Sequence, residues 1–330
     1  MREPGFWHAP PGAAAALLGP LAAIYGAVAG WRLRQSGRRA GIPVICVGNL
    51  TLGGAGKTPT ALAVGTSLTE AGARPFFLTR GYGGRLSGPR QVDPAIHTAS
   101  DVGDEPLLLA RIAPTIVAHD RVAGAGAARA AGASVIVMDD GFQNPRLAKD
   151  LSIIVVDAKS GVGNGRLFPA GPLRAPLDAQ LDRAQGLVVI GEGNDAATVV
   201  AAARQRSIPI FTARLIPTPG DITALAGKPV LAFAGIGDPR KFFATLTASG
   251  ADVRARHAFA DHHPYTGGDA AALLAEAQAG GLTPVTTEKD MVRLAGNPET
   301  AELAAVTRTL AVSLTVDDAA GFAALVRSVV

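Results

Sequence analysis

Residues 44–59 read Val44-Ile-Cys-Val-Gly-Asn-Leu-Thr-Leu-Gly-Gly-Ala-Gly-Lys-Thr-Pro59, and this stretch predicts the architecture of the chain. Its first four residues are apolar and partly β-branched, which indicates a buried strand. A glycine-rich turn follows, and a helix-compatible run begins at Lys57. Strand, glycine loop and helix in this order are typical of a P-loop, whose backbone N–H groups hold phosphate oxygens at a helix N-terminus. The stretch therefore predicts a nucleotide site.

The loop departs at one position from the general pattern G-x-x-x-x-G-K-[ST], because Thr51 stands where the pattern has glycine. Glycines at positions 53, 54 and 56 still allow unusual backbone angles. Lys57 is expected to reach the β- and γ-phosphates of ATP, and the Thr58 hydroxyl is expected to bind Mg²⁺. An ordinary glycine turn is the alternative, but Gly-Lys-Thr directly after a strand favours nucleotide binding. The predicted nucleotide-binding residues are Thr51, Leu52, Gly53, Gly54, Ala55, Gly56, Lys57 and Thr58.

From Val44 onward, short apolar strands alternate with helical stretches. This alternation predicts an α/β fold of the P-loop NTPase type, with a mostly parallel sheet covered by helices on both faces. Pro217, Pro219 and Gly220 interrupt the pattern, and a second, smaller α/β unit begins near Val230. We expect a helix with a basic tail at 1–40, a P-loop kinase domain at 41–218 and a C-terminal α/β domain at 219–330.

The composition favours a globular protein in a reducing compartment. The chain has 330 residues, of which 48% are hydrophobic and 18% charged, so extensive disorder is unexpected. Its net charge of +4 suits acidic ligands or an anionic membrane, and without a nucleic-acid-binding motif it does not indicate a nucleic-acid partner. Cys46 is the single cysteine, which excludes an internal disulfide and a cysteine zinc cluster. No obligatory protein partner is evident.

The N-terminal segment contains no charged residue from Ala13 to Trp31. As one helix it would be roughly 28 Å long, close to the thickness of a bilayer core. A transmembrane span is one interpretation, which Pro20 weakens. A secretory signal is another, with Ala27-Val28-Ala29 as its cleavage site.

The third interpretation is a helix lying on a membrane surface. Large apolar residues recur at three- and four-residue steps, which places them on one face. These residues are Leu17, Leu18, Leu21, Ile24, Tyr25, Val28 and Trp31. The basic cluster that follows suits anionic headgroups and consists of Arg32, Arg34, Arg38 and Arg39. The competing interpretation is a helix packed on its own domain with a solvated basic tail.

Acidic residues follow two predicted elements. Asp139 and Asp140 end the apolar strand that begins near Val135, and in P-loop proteins an acid at such a strand end contacts Mg²⁺. Asp104 and Glu105 stand before a leucine-rich helix, where acids commonly act as caps. A kinase also needs a carboxylate to orient and deprotonate the acceptor hydroxyl, and either residue suits that role or a metal contact.

Other polar residues are weaker candidates. In Asp261-His262-His263-Pro264, an aspartate could set the tautomer of an imidazole and let His262 assist the base. Arg80 and Arg174 lie on glycine-containing loops, where they suit an anionic substrate or remain solvated loop charges. Gln143 would place an amide beside the metal, and we predict that it contacts the substrate together with Arg80 and Arg174.

Taken together, these motifs resemble the tetraacyldisaccharide 4′-kinase family of lipid A biosynthesis. The resemblance extends over nearly the whole chain, and Thr51 fits the family's own form of the P-loop. The matching motifs are Asn49-Leu-Thr-Leu-Gly-Gly-Ala-Gly-Lys-Thr-Pro59, Thr79-Arg-Gly-Tyr-Gly-Gly84, Val102-Gly-Asp-Glu-Pro106, Asp139-Asp-Gly-Phe-Gln143, Pro169-Ala-Gly-Pro-Leu-Arg174, Gly235-Ile-Gly237, Asp261-His262 and Thr287-Glu-Lys-Asp290.

The resemblance implies ATP- and Mg²⁺-dependent phosphorylation of the 4′-hydroxyl of a tetraacylated disaccharide 1-phosphate, forming lipid IVA. It implies a monotopic enzyme on the cytoplasmic face of the bacterial inner membrane. Asp104 would be the general base with His262 as its partner, and Glu105 and Asp139 would lie near Mg²⁺. Asn144 departs from the family pattern, in which His often follows the Gln, so no role is transferred to it. The alternatives are a membrane-associated NTPase switch without a sugar acceptor and a kinase for a soluble metabolite.

Overall fold

The computed structural model describes residues 4–330 and contains two β-sheets. The strands within the described residues are β1 Val44–Asn49, β2 Pro75–Thr79, β3 Arg90–Gln91, β4 Thr115–Val117, β5 Val135–Asp139, β6 Leu151–Asp157, β7 Gly186–Ile190, β8 Ile210–Pro217, β9 Pro229–Ala234, β10 Asp252–Ala258, β11 Thr283–Thr286, β12 Arg308–Thr309 and β13 Val312–Val316.

Helices connect most of these strands, as the alternating pattern predicts. The α-helices are α1 Ala13–Leu17, α2 Gly19–Leu33, α3 Lys57–Glu70, α4 Ala99–Val102, α5 Asp104–Leu109, α6 Arg121–Ala130, α7 Leu177–Leu181, α8 Ala197–Gln205, α9 Pro219–Leu225, α10 Pro239–Ala248, α11 Gly267–Gly280, α12 Glu288–Ala295, α13 Ala301–Val306 and α14 Ala319–Arg327. Short 3₁₀ helices occupy Gly5–His8 and Pro298–Thr300.

The large sheet has the strand order β13-β8-β7-β6-β1-β5-β2-β4-β3 and is parallel except at its two edges. Strand β1 is buried along its whole length. Val44 and Cys46 pack into the core on one face, whereas Ile45 and Val47 pack with α3 on the other. A strand covered on both faces explains the continuous apolar run in its sequence. The predicted α/β fold with a mostly parallel sheet is confirmed.

The small sheet has the order β10-β9-β11-β12 and is parallel throughout. Its central strand β9 is almost entirely buried, and apolar side chains cover both faces. Edge strand β10 alternates between exposed and half-buried residues, as a strand with one covered face does.

The last strand of the chain does not join the small sheet. β13 pairs antiparallel with β8, so it covers the edge of the large sheet, and Phe322 of α14 packs edge-on against Phe211. Residues 312–327 therefore pack with the large sheet, although the expected C-terminal domain at 219–330 includes them. Sequence patterns predict a strand here but not its partner, because pairing is set by contacts distant in the chain. The division at residues 40 and 218 remains a prediction.

The N-terminal helix is interrupted, which differs from the single helix expected over residues 13–31. Helix α1 ends at Leu17, and α2 begins at Gly19 with Pro20 in its first turn, where the missing N–H is tolerated. The small residues Ala22, Gly26 and Gly30 are buried against the domain. In the part of the chain that the structure describes, no helix is long and apolar enough to span a bilayer.

Candidate active site

The P-loop lies between β1 and α3, at the carboxyl end of the large sheet. Gly56 has φ = +85° immediately before α3, a conformation that glycine adopts readily. Lys57 Nζ donates a hydrogen bond to Gly53 O at 3.3 Å and lies 3.8 Å from Asp140 Oδ2. Thr58, the next residue of the helix, is buried. The loop therefore brings a lysine and a hydroxyl to one helix N-terminus, as a phosphate site requires.

Asp139 ends β5 beside the first turn of α3. Strand pairing places Asp139 opposite Val47 of β1, and the Thr58 hydroxyl lies 3.4 Å from Asp139 Oδ2. Burial, together with the nearby negative charges of Glu105 and Asp140, raises the pKa of Asp139 to about 7. Among residues 4–330, Asp139 Oδ1 is buried without a hydrogen-bond partner. A buried, unpartnered carboxylate oxygen beside a hydroxyl fits a divalent cation.

The described residues hold no group of three or more His, Cys, Asp or Glu side chains that could bind a metal alone. This donor set fits Mg²⁺, because that ion is usually held by one or two carboxylates together with substrate phosphates and water. Thr58 and Asp139 are the residues whose geometry suits it. Glu105, the other predicted ligand, forms an ion pair with Lys289 in this structure.

Asp104 begins α5 and is almost completely buried. Gly103 before it has φ = +90°, and a side chain there would collide with Tyr82 O, so the turn requires glycine. Asp104 Oδ2 lies 3.1 Å from His262 Nδ1 and 3.2 Å from Arg293 Nε. Burial alone would raise the pKa of Asp104, but His262 and neighbouring cations lower it to about 2. Asp104 is therefore a carboxylate at neutral pH.

His262 comes from the loop after β10 in the small sheet, 158 residues from Asp104 in sequence. Its backbone has φ = +55°, an uncommon conformation for a non-glycine residue and one that often marks a functional site. The hydrogen bond with Asp104 raises the pKa of His262, against the effect of burial. The ring of Tyr82 packs edge-on against the imidazole with centroids 5.2 Å apart. The predicted Asp104 and His262 thus lie in contact.

Lys289 and Arg293 also face this region, from helix α12 of the small-sheet side. Lys289 Nζ lies 2.6 Å from Glu105 Oε1. Burial would raise the pKa of Glu105, but Lys289 lowers it. Sequence reasoning missed both cations as site residues. Lys289 lies within Thr287-Glu-Lys-Asp290, and its i, i+4 spacing from Arg293 places both on one face of α12. That spacing is equally typical of a solvated helix face, so it does not by itself indicate a site.

Arg174 supports the P-loop from inside the site. Its guanidinium donates to Thr51 O and Asp140 Oδ1, each at 2.8 Å. Asp140 itself has φ = +51°, a second unusual backbone conformation at this site. These bonds favour a supporting role for Arg174, and its predicted contact with substrate stays a prediction.

Gln143 is similarly engaged in internal hydrogen bonds. Its amide donates to Asn49 O at 2.8 Å and to Gln180 Oε1 at 3.0 Å, which connects the predicted metal side of the loop to helix α7. Asn144 Oδ1 accepts from Arg146 N at 2.9 Å and thereby closes a local turn. Arg80 is exposed, and no hydrogen bond or ion pair holds it within the described chain. The substrate roles of Arg80 and Gln143 also remain predictions.

Comparison with known proteins decides the family. The model of the family described as Tetraacyldisaccharide-1-P 4'-kinase matches residues 14–330. The chain belongs to this family. The resemblance inferred from the motifs is thereby confirmed, and the family is one of kinases.

Relatives named tetraacyldisaccharide 4'-kinase align along nearly their full length. The protein of Rhodopseudomonas palustris strain BisB18 is 56% identical over 319 residues, covering 97% of this chain and 93% of the relative. That of Nitrobacter winogradskyi is 55% identical over 318 residues, covering 96% and 94%. The crystal structure of an "apo" form of LpxK from Aquifex aeolicus in complex with ATP superposes with a TM-score of 0.72 at 25% identity, covering 96% and 99% of the two chains.

Proposed function

We propose that this chain transfers the γ-phosphate of ATP to the 4′-hydroxyl of tetraacyldisaccharide 1-phosphate, forming lipid IVA in lipid A biosynthesis. One observation supports this proposal in addition to family membership. The contact between Asp104 and His262 joins a carboxylate from the P-loop side to an imidazole from the small-sheet side. A hydrolytic switch needs no such base for a sugar hydroxyl, whereas a kinase does.

The phosphate-binding part of the reaction is assigned to the P-loop. Lys57 and the backbone N–H groups before α3 would hold the β- and γ-phosphates, while Thr58 and Asp139 would hold Mg²⁺. When bound, Mg²⁺ neutralises charge that develops on the phosphate oxygens. Arg174 would keep the loop in place through Thr51 and Asp140. Glu105 stays a proposed second acid near the metal.

The acceptor part of the reaction is assigned to Asp104 and His262. The bond from the γ-phosphorus to the bridging oxygen of ADP breaks, and a bond from that phosphorus to the 4′-oxygen forms. The hydroxyl proton passes to Asp104 and its partner His262, and then to solvent. A carboxylate with a low pKa suffices, because the acceptor hydroxyl becomes acidic as the bond to phosphorus forms. His262 orients Asp104 and shares the proton.

We also propose that helix α2 rests on the cytoplasmic face of the inner membrane without crossing it. Its exposed side chains form one apolar face, on which Leu21 is 59% and Ile24 65% exposed, whereas its small residues pack on the domain. Packing on its own domain explains the small-residue face but not the exposed one. Arginines 32, 34, 38 and 39 are exposed next to this face and suit anionic lipids. Such a position would bring the site to an acylated acceptor.

The test of this function is product formation. The purified protein is incubated with ATP, Mg²⁺ and acylated disaccharide 1-phosphate in detergent micelles, and Lys57→Ala serves as the inactive control. We expect ADP and a lipid with one additional phosphate in equal amounts. ADP release that is independent of the lipid and yields no phosphorylated lipid would instead support the NTPase switch.

A further inference from the structure

We infer that Lys289 is a second lysine of the phosphoryl-transfer site, which supplies positive charge to the transferring phosphate from the small-sheet side. This inference rests on the kinase function proposed above. Lys289 lies on α12 and forms an ion pair with Glu105 at the start of α5, so it reaches the acids of the large-sheet side. Glu105 directly follows Asp104, and Lys289 therefore lies beside the proposed base.

The position of Lys289 is defined by its neighbour in the chain. Asp290 is fully buried and accepts hydrogen bonds from Gly235 N at 2.9 Å and from the Tyr265 hydroxyl at 2.8 Å. The Thr287 hydroxyl also donates to it and caps α12. These bonds attach the first turn of α12 to the end of β9. Lys289 is thus presented from a rigid element, and only its flexible side chain is free to change partner.

Two arginines of the site are already bonded to other groups of the protein. Arg174 is bonded to Thr51 O and Asp140, as described above. Arg293 has a side chain only 8% exposed, and its guanidinium donates to Gly235 O and His263 O in addition to its contact with Asp104. Neither guanidinium can turn to a phosphate without leaving buried acceptors unpaired, which is costly.

Lys289 differs from these arginines in its free bonding capacity. An ammonium has three N–H donors, and within residues 4–330 that of Lys289 has one acceptor, Glu105 Oε1. Its side chain is 29% exposed, so a bound molecule can reach it. The remaining N–H donors of Lys289 are therefore available to a phosphate oxygen. Charge aimed at the transferring group is the main source of catalysis in phosphoryl transfer.

A purely structural interpretation is that Lys289 only holds the two sheets together. Lys241 of α10 provides a matched comparison, because it also pairs across the two parts, with Asp157 at the end of β6. Asp157 is not one of the acids assigned to the reaction. Lys241→Gln therefore removes a lysine and an ion pair of the same kind without altering the proposed site.

The test compares Lys289→Gln, Lys289→Arg and Lys241→Gln with the native protein. We expect Lys289→Gln to lower kcat about 100- to 1,000-fold, as does loss of a group that stabilises transition-state charge. Lys289→Arg retains the charge, so its kcat should be at least about tenfold higher than that of Lys289→Gln. The kcat of Lys241→Gln should remain near that of the native protein. Affinity for a non-hydrolysable ATP analogue should fall in Lys289→Gln by more than affinity for ADP, because only the analogue has the third phosphate.

Several outcomes would overturn the inference. One is a kcat for Lys289→Gln within about threefold of native, and another is an equal loss in Lys241→Gln. Equal weakening of the ATP analogue and ADP would also contradict a role at the transferring phosphate. Circular dichroism and thermal unfolding identify a variant that fails to fold, and in that case Lys289→Arg decides. Failure of the kinase proposal is distinguishable, because the native protein would then form no phosphorylated lipid.

Discussion

The groups that meet between the two sheets are acids on one side and basic residues on the other. The large-sheet side provides most of the acids, Asp104, Glu105 and Asp139, together with the P-loop. The small-sheet side provides His262, Lys289 and Arg293, each within 3.2 Å of an acid on the other side. Neither side alone has both the phosphate site and the complete set of groups around the base. The proposed reaction therefore depends on how the large-sheet side and the small-sheet side pack against each other.

The sharpest test of this contrast is to remove its central acid. Asp104→Asn should lower kcat about 100- to 10,000-fold, because a positioned base is lost while the P-loop is unchanged. ATP affinity, measured by calorimetry, should stay near native. Asp157→Asn removes another acid that bonds a lysine of the small-sheet side and should leave kcat within a few fold. Near-native turnover of Asp104→Asn would exclude Asp104 as the base.

Membrane binding should depend on the large-sheet side alone, because α2 packs there. Replacing Leu21, Ile24 and Trp31 together with Gln should lower the affinity for anionic vesicles roughly 100-fold, because each apolar side chain contributes about 1 kcal/mol of binding free energy. Activity on micellar acceptor should change little. Val306→Gln alters an exposed apolar residue of the small-sheet side and should not affect vesicle binding. Unchanged sedimentation of the triple variant with vesicles would contradict the proposed membrane face.

Deleting residues 1–40 is a less specific form of this test. Trp7 is buried and donates its indole N–H to Pro169 O at 3.1 Å, and Arg183 donates to Leu33 O at 2.6 Å. A truncation would therefore expose part of the core as well as remove the apolar face. We expect the deletion to release the protein from membranes and also to destabilise it.

The support of the P-loop by Arg174 should produce a smaller effect on the large-sheet side. Arg174→Ala should weaken ATP binding about tenfold, which corresponds to about 1.5 kcal/mol for lost charge-assisted hydrogen bonds. Arg214→Ala removes a surface ion pair with Asp317 in the same sheet and provides the control. Native ATP affinity in Arg174→Ala, measured by calorimetry, would show that the loop holds its shape without this arginine.

The smallest expected effect is on the protonation of His262. Its pKa is raised chiefly by the hydrogen bond with Asp104, whereas burial lowers it. In Asp104→Asn the hydrogen bond to a charged carboxylate is lost and burial remains, so the pKa of His262 should fall. The imidazole should therefore lose its proton at a lower pH than in the native protein. NMR titration of the imidazole measures this, with the native protein as the reference. A pKa that does not change would mean that the two side chains are not in contact in solution.

Local motifs were predicted well from the sequence, and the associations among them less well. The P-loop, the strand ending in Asp139 and the alternation of strands and helices were predicted correctly. The contact between Asp104 and His262 was inferred through family resemblance, since composition and spacing do not join residues 158 positions apart. Arg293 was missed, because nothing local distinguishes a buried arginine from a solvated one on an amphipathic helix.

The internal bonding of polar residues was also beyond sequence reasoning. Arg174 and Gln143 were expected to face the substrate, yet both donate to groups around the P-loop. The sequence shows a donor but not which acceptor lies within reach. The partner of the last strand was undetermined for the same reason, and β13 covers β8 of the large sheet.

By itself, the sequence determined the P-loop, the parallel α/β architecture and the family. Apolar periodicity, glycine position and the order of Gly-Lys-Thr act over a few residues, so they can be interpreted without the fold. Only the tertiary structure decided which charges meet, because ion pairs such as Lys289 with Glu105 join residues that lie 184 positions apart in the sequence. Such contacts depend on how two separately packed sheets lie against each other, and no local sequence pattern encodes that arrangement.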